Sequence, residues 1–269
     1  MRASIVSAVV LFLAATSSAT AFDARDLEKL TSNSSCGGCD LRGAKLQSMD
    51  LKEAYLKGAN LRDSVLKQIN LSDANLIETD MRRSDLEKAT LVSADLEYAI
   101  LQDADLEKAL LTNANLRRTD LRGADLDSAS VEGGKFQEAD IRKANFKRAN
   151  LSQANFSDAK VTDVNFKRAT MIGAIMTKAE LNNANFTRAD LTDARLDEAD
   201  LRHTNFYRAN LRNTVLSGSR LSNATFWGAD LSGANLRDAN GLEQEQLDVA
   251  CGSRETVLPK NLSIRDCGA

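Results

Sequence analysis

Few residues in this 269-residue chain could do chemistry, and their spacing narrows what they could do. Cys36-Gly37-Gly38-Cys39 is a C-x-x-C, a spacing that serves a redox centre, half of a zinc site or a short structural disulfide. Cys251 and Cys267 stand near the other end of the chain, separated by 16 positions. His203 is the sole histidine, so a Ser-His-Asp triad or a multi-histidine metal site has little to build with, and a solvated imidazole is expected. Asp and Asn are abundant, but the sequence lacks the Gly-rich calcium-binding nonapeptide, and it has no Gly-rich phosphate loop leading into a helix. No catalytic residue, cofactor or metal ligand is expected on these grounds. What remains is recognition chemistry. Arg42, Arg62, Arg82, Arg122, Arg142 and Arg202 recur at multiples of twenty, a ladder that could hold a polyanion. Tyr207 and Trp227, also twenty apart, suit a partner surface or a sugar.

The elements that position these residues follow from a five-residue period. Every fifth residue from Leu41 to Leu236, forty positions in all, is large and apolar. Two residues earlier stands a small residue, Ala at 28 of the forty, and one residue earlier stands Asp or Asn at 24. A helix advances about 100° per residue, so a spacing of five would smear the leucines around every face. A flat strand alternates faces, so an odd spacing would send successive leucines to opposite sides. Turning the chain once per unit keeps all of them inside, with the small residue letting the walls approach. Phe146, Phe166, Phe186, Phe206 and Phe226 recur every twenty residues, which sets four units per coil. Phe136 and Phe156 belong to the facing wall.

Ala44-Lys45-Leu46, Ala59-Asn60-Leu61, Ala94-Asp95-Leu96 and Ala124-Asp125-Leu126 resemble the repeats of the pentapeptide-repeat family. The resemblance implies an all-β fold, a right-handed quadrilateral β-helix, over residues 39–238. Ten coils at about 4.8 Å each make a rod of about 48 Å. The Cys-Gly-Gly-Cys-Asp-Leu entry and the tail from Cys251 through Pro259 to Cys267 resemble the cysteine-paired ends of exported bacterial members.

At the N-terminus, Arg2, the apolar run 5–15 and Ala19-Thr20-Ala21 read as a secretory signal over residues 1–21, cleaved before Phe22. Residues 22–38 read as a first cap, with a helix from Phe22 to Leu30 capped by Asp23 and a staple of Phe22 on Leu27. Residues 239–269 read as a second cap, with a helix from Leu242 to Cys251 ended by Gly252. Cys39 falls at the small inward position of the first repeat. A four-cysteine zinc site would need both ends of the rod to meet, so the expected pairing is Cys36 with Cys39 and Cys251 with Cys267, as structural disulfides. Gly133-Gly134 would give a flexible step near mid-rod.

Lys and Arg number 35 against 38 Asp and Glu, a formal net charge of −3, which promises neither a strongly acidic nor a strongly basic protein. Asp40, Asp80, Asp120, Asp140 and Asp200 each precede a ladder arginine by two residues, so mutual neutralisation competes with polyanion binding on that wall. For Tyr207 and Trp227 the competing expectation is that the C-terminal helix or tail lies over them. Val92 with Leu110 and Ile77 with Tyr98 are smaller apolar pairs of the same kind. The function these features suggest is a non-enzymatic exported scaffold, periplasmic or extracellular, offering rigid walls to a protein or envelope component. It would be a monomer or small oligomer, with no membrane span in the mature chain and no nucleic-acid partner. The alternative is a DNA mimic of the type that protects DNA gyrase from quinolones, which the signal segment and balanced charge disfavour.

Overall fold

The computed structural model describes residues 22–268; the expected leader over residues 1–21 lies outside the described residues. From Ser35 to Asn240, the residue before each central apolar one makes a parallel bridge to the residue twenty further on, from Ser35 with Tyr55 to Arg220 with Asn240. Four units therefore close each coil, and the fold is a right-handed quadrilateral β-helix.

Each rung is held by backbone bonds to the next coil. The Leu41 N–H donates to the Asn60 carbonyl at 2.8 Å and the Asn60 N–H donates to the Cys39 carbonyl at 2.8 Å, a pattern that repeats up the rod. Each corner is a turn in which the small residue's N–H donates back to the central residue's carbonyl, as Ala44 does to Leu41 at 3.1 Å. The third residue of that turn is left-handed, which favours glycine, yet Glu53 (φ 58), Tyr98 (φ 61) and Arg168 (φ 60) adopt it. Such residues are tolerated singly where the rungs on either side fix the backbone. The Asp/Asn signature also has a local cause. Its side-chain oxygen accepts the N–H two residues on, as Asp105 does from Glu107 and Asn155 from Ser157, both at 2.9 Å, so this residue type pre-forms the corner.

All forty central residues are inside, none more than 2% exposed. Where Ser or Thr replaces the inward Ala, its hydroxyl is bonded; Thr79 and Thr119 each donate to the carbonyl three residues back at 2.7 Å, so no buried hydroxyl is orphaned there. The phenylalanines of one wall stack coil on coil, Phe146 to Phe166 at 5.5 Å and Phe166 to Phe186 at 5.0 Å. Phe136 and Phe156 stack on the facing wall at 4.4 Å and meet the first series edge-on. Gly134 takes a small inward position where a Cβ would come within 2.8 Å of Val131 Cγ1. The bridges run through it without a break, so this step is a packing requirement and not the flexible joint expected.

Both ends are covered, by elements that differ from the sequence expectation in extent. α1 runs Ala24–Asn33, starting after Phe22 and ending about one turn beyond the expected Leu30, with Asp23 as N-cap and Leu30 buried on the first coil. It is tied down where Asp26 Oδ2 accepts the Asp40 N–H at 2.9 Å. α2 is only Gln244–Asp248, shorter than the expected Leu242 to Cys251, because Cys251 is taken by a bridge to Asp230. Gly252 does not end the helix; it pairs with Asp266. Leu247 and Ala250 are buried against the last coil, and the Gln246 amide donates to the Leu221 and Ala224 carbonyls at 3.0 and 2.7 Å. Among the described residues, no helix is long and apolar enough to cross a membrane.

Candidate interaction walls

Disulfides close both ends: Cys36 bonds Cys39 and Cys251 bonds Cys267, each at 2.03 Å. Asp26 with the first pair and Asp230 with the second bring ligand atoms within 4.8 Å, but two of the three in each group are disulfide sulfurs, which leaves no thiolate for a metal. Cys36 and Cys39 are buried at 0% and 2% exposure, with Lys29 Nζ 3.9 Å from Cys39 Sγ. His203 is an exposed left-handed corner residue (φ 60).

On the first wall the six arginines stand in line, and five are clamped by the aspartate two residues before them. Arg42 donates from Nε and a terminal nitrogen to Asp40 at 2.8 and 2.6 Å, and Arg142 does the same to Asp140. Arg82, Arg122 and Arg202 repeat the fork with Asp80, Asp120 and Asp200. The paired bonds hold Asp40 and Asp200 below the usual carboxylate range. At Asp80 and Asp120 burial pushes the other way and is outweighed by the same arginine contacts. Arg62 is the exception. Asn60 replaces the aspartate before it, its Nε lacks a partner, and Asp80 is 3.9 Å away. A groove of about 450 Å³ on this wall is lined by Arg122, Arg142 and Lys143 but also by Asp103 and Asp163, so it carries both signs.

Tyr207 and Trp227 sit on adjacent rungs of the second wall, where the Arg208 N–H donates to the Trp227 carbonyl at 2.8 Å. Trp227 is 58% exposed, so neither helix nor tail lies over it. The chain beyond meets this wall only end-on, where the Val249 carbonyl accepts the Gly228 N–H at 2.7 Å, and then goes on to the third and fourth walls, where Cys251 and Val257 pair with Asp230 and Asn235. The guanidinium of Arg208 lies 5.3 Å above the Tyr207 ring. Leu110 and Tyr98 are also exposed, and Tyr98 accepts a bond from Arg118 at 2.6 Å.

The second wall carries a feature that sequence reasoning missed. Through its lower coils it is mixed, with Asp85, Glu87, Asp105, Glu107, Asp125 and Asp127 around Lys67, Lys88 and Lys108. Lys67 and Lys88 on either side hold the Glu87 carboxyl down to about 2. From the next coil upward the corner residues are Arg148, Arg168, Arg188 and Arg208, all exposed, with Lys147 and Lys167 beside them. Asp127 is 2.7 Å from Arg148 and 3.8 Å from Lys147. Among the described residues, Lys167, Arg168, Arg188 and Arg208 have no carboxylate within 4.0 Å. The aspartates of the lower coils are replaced by Asn145, Asn165, Asn185 and Asn205. An amide can do what a carboxylate cannot: Asn145 Oδ1 accepts the Lys147 N–H at 3.3 Å, and its neighbour Asn165 donates to the same oxygen at 2.9 Å. The signal was present at steps of twenty in the corner register, one residue beyond the register that gave the first arginine ladder.

The described geometry agrees with the comparisons to known proteins. A family model for pentapeptide repeats matches in eight copies that tile residues 34–238. The chain belongs to the pentapeptide repeat family, whose members are structural and interaction modules. Among solved structures it is similar to HetL, a pentapeptide repeat protein involved in heterocyst differentiation regulation from the cyanobacterium Nostoc sp. strain PCC 7120. That match has 28% identity and a TM-score of 0.63, over 80% of this chain and 93% of HetL. QnrB1, a plasmid-mediated fluoroquinolone resistance protein, matches at 16% identity and a TM-score of 0.33, over 79% of this chain and 92% of its own. A pentapeptide repeat protein of the Arabidopsis thaliana thylakoid lumen, AT2G44920, is 29% identical over 41% of this chain and 63% of its own, with a TM-score of 0.19. No protein of curated function matches the sequence significantly.

Proposed function

We propose that this protein is a non-catalytic scaffold of an oxidising compartment, periplasmic or extracellular, whose rigid walls present side chains to an envelope or extracellular partner. The observation that carries the reading is the disulfide at each end of the rod, since such bonds persist outside the reducing cytoplasm. The leader pattern of residues 1–21 points the same way. In this reading residues 22–38 and 239–269 are caps, and residues 39–238 are the working surface. The caps cover the apolar ends that would otherwise drive end-to-end association, which favours a monomer or small defined oligomer. A DNA mimic needs a continuously negative surface; the basic half of the second wall opposes that, as do the disulfides. Cell fractionation with intact-mass measurement, with and without reductant, tests the proposal. An extracytoplasmic chain beginning at Phe22 with no free thiol is expected. A cytoplasmic chain retaining residues 1–21 with four alkylatable cysteines would overturn it.

A further inference from the structure

On the second wall the charge changes at mid-rod, and the upper half offers four arginines in line, three of them without a carboxylate partner, running up to an exposed tryptophan. We propose that this half-wall binds an extended acidic polysaccharide of the polyuronate class, its carboxylates held by Arg148, Arg168, Arg188 and Arg208 and a sugar ring packed on Trp227.

Four observations carry the assignment. The ladder is rigid. Arg148, Arg168 and Arg188 each donate their backbone N–H to the next coil at 2.8 to 3.0 Å, so the cations stand one per rung, about 4.8 Å apart. A pyranose repeat is of the same order and a polyuronate carries one carboxylate per ring, so rings and rungs keep pace along the rod. Successive rings are rotated about the chain axis, so the carboxylates that turn toward the wall are the ones that meet an arginine. Guanidinium matches a carboxylate with two parallel donors. The asparagine ladder keeps the strip beside these arginines free of negative charge while preserving the corner hydrogen bonds, unlike the first wall, where each aspartate occupies its own arginine.

The aromatics decide between polymers. Trp227 is 58% exposed, and its corner neighbour is Gly228 where the coils below have arginine, so one flank of the indole is left open. An indole face packs on the C–H face of a sugar. Single-stranded nucleic acid is instead held by bases stacked on aromatic side chains spaced along a basic groove. Among the described residues, the outward aromatics of this wall are Tyr207 and Trp227, on adjacent rungs at one end and too close together to admit a base between them. The choice of polysaccharide over nucleic acid also rests on the extracytoplasmic reading; the ladder itself does not.

Affinity electrophoresis and calorimetry on the full chain with both disulfides intact test the proposal. The probes are polygalacturonate, neutral dextran and a thymidine oligonucleotide. Polygalacturonate is expected to bind, with affinity that falls as salt is raised because exposed charges are screened. The double variant Arg168→Glu/Arg188→Glu is expected to lose at least about tenfold in affinity, since it turns two contacts repulsive. Trp227→Ala should lose about two- to tenfold. Arg122→Glu on the first wall should stay within about twofold in affinity, although it breaks the fork on Asp120 and should melt somewhat below the parent. The double variant and Trp227→Ala should melt like the parent, since these side chains point outward. Failure to bind polygalacturonate at low salt, equal binding of dextran, tighter binding of the oligonucleotide, or indifference to the double variant would each overturn the site. So would a dimer in light scattering that the double variant dissociates, because the half-wall would then be covered by a second copy. Fractionation decides the compartment separately: a cytoplasmic protein that still binds polygalacturonate through the ladder would sink the exported reading and leave the site standing.

Discussion

The lower and upper halves of the rod share one backbone and differ on one wall, inside and out. Below mid-rod the second wall is lined inside by Leu46 through Leu126 and carries mixed charge outside; above it, Phe146 through Phe226 line the inside and the outside is basic. The rung bonds are the same throughout: Leu86 to Asp105 at 2.6 Å in one half, Phe186 to Asn205 at 2.8 Å in the other. A coil that is hydrogen-bonded through its backbone leaves its three outward positions per unit free to vary. Walls can then be specialised by the half-length without cost to the fold. What the core must keep is volume and apolarity; what the surface must keep is only the corner chemistry.

The largest expected effect breaks both halves at once. Leu116→Asp places an unpaired carboxylate at a site that is 0% exposed, and no cooperative thermal transition should survive. Comparing halves, Phe186→Ala should cost about 3–5 kcal/mol by urea unfolding. Phe186 stacks on Phe166 and Phe206 at 5.0 and 5.3 Å, so its loss should exceed that of Leu106→Ala, the corresponding leucine below mid-rod. Equal losses would mean that aromatic stacking adds nothing to volume.

The two ends give a milder contrast. Replacing Cys251 and Cys267 by Ser opens a bridge with sequence separation 16 and should cost about 3 kcal/mol by the loop-closure account. Replacing Cys36 and Cys39 opens a separation of 3 and should cost less, which differential melting can rank.

Acid should act through the first wall and through Glu87 on the second, which Lys67 and Lys88 hold down to about 2. Asp40, Asp80, Asp120 and Asp200 have folded pKa values below the ordinary 3.8, so each contributes stability above that value and loses it as pH falls through the lowered one. Stability should be flat from neutral pH to about pH 5 and fall below about pH 4. The drop should be shallow, since exposed pairs contribute at most about 1 kcal/mol each. A loss centred near pH 6 would point to other groups. The smallest effect is Arg117→Ala, an exposed residue whose side chain makes no hydrogen bond among the described residues; its melt should shift by less than about 0.5 kcal/mol.

Much of this molecule was legible in the sequence because its contacts repeat at a fixed step. Leu41, Leu46 and their successors had to face inward, and the spacing of Phe166 and Phe186 alone set four units to a coil. The five-residue unit is nearly its own structural explanation, since the turn, the Asx bond and the inward pair are made within a few residues of one another. What the tertiary structure decided is where local rules meet an end or a neighbour. It shortened the expected C-terminal helix, because Cys251 is needed as a rung against Asp230. It left Trp227 bare, because α2 and the tail stack on the end of the last coil, through Val249 on Gly228 and Cys251 on Asp230, and not across the outer face of the wall. It separated two arginine ladders that look alike in sequence. Arg142 can fold back two residues onto Asp140, while Arg168 stands on a corner where that position holds Thr170 in one direction and Phe166, buried, in the other. Periodicity fixes which residues are stacked; only the side-chain geometry at each corner decides whether a stacked charge is already paired.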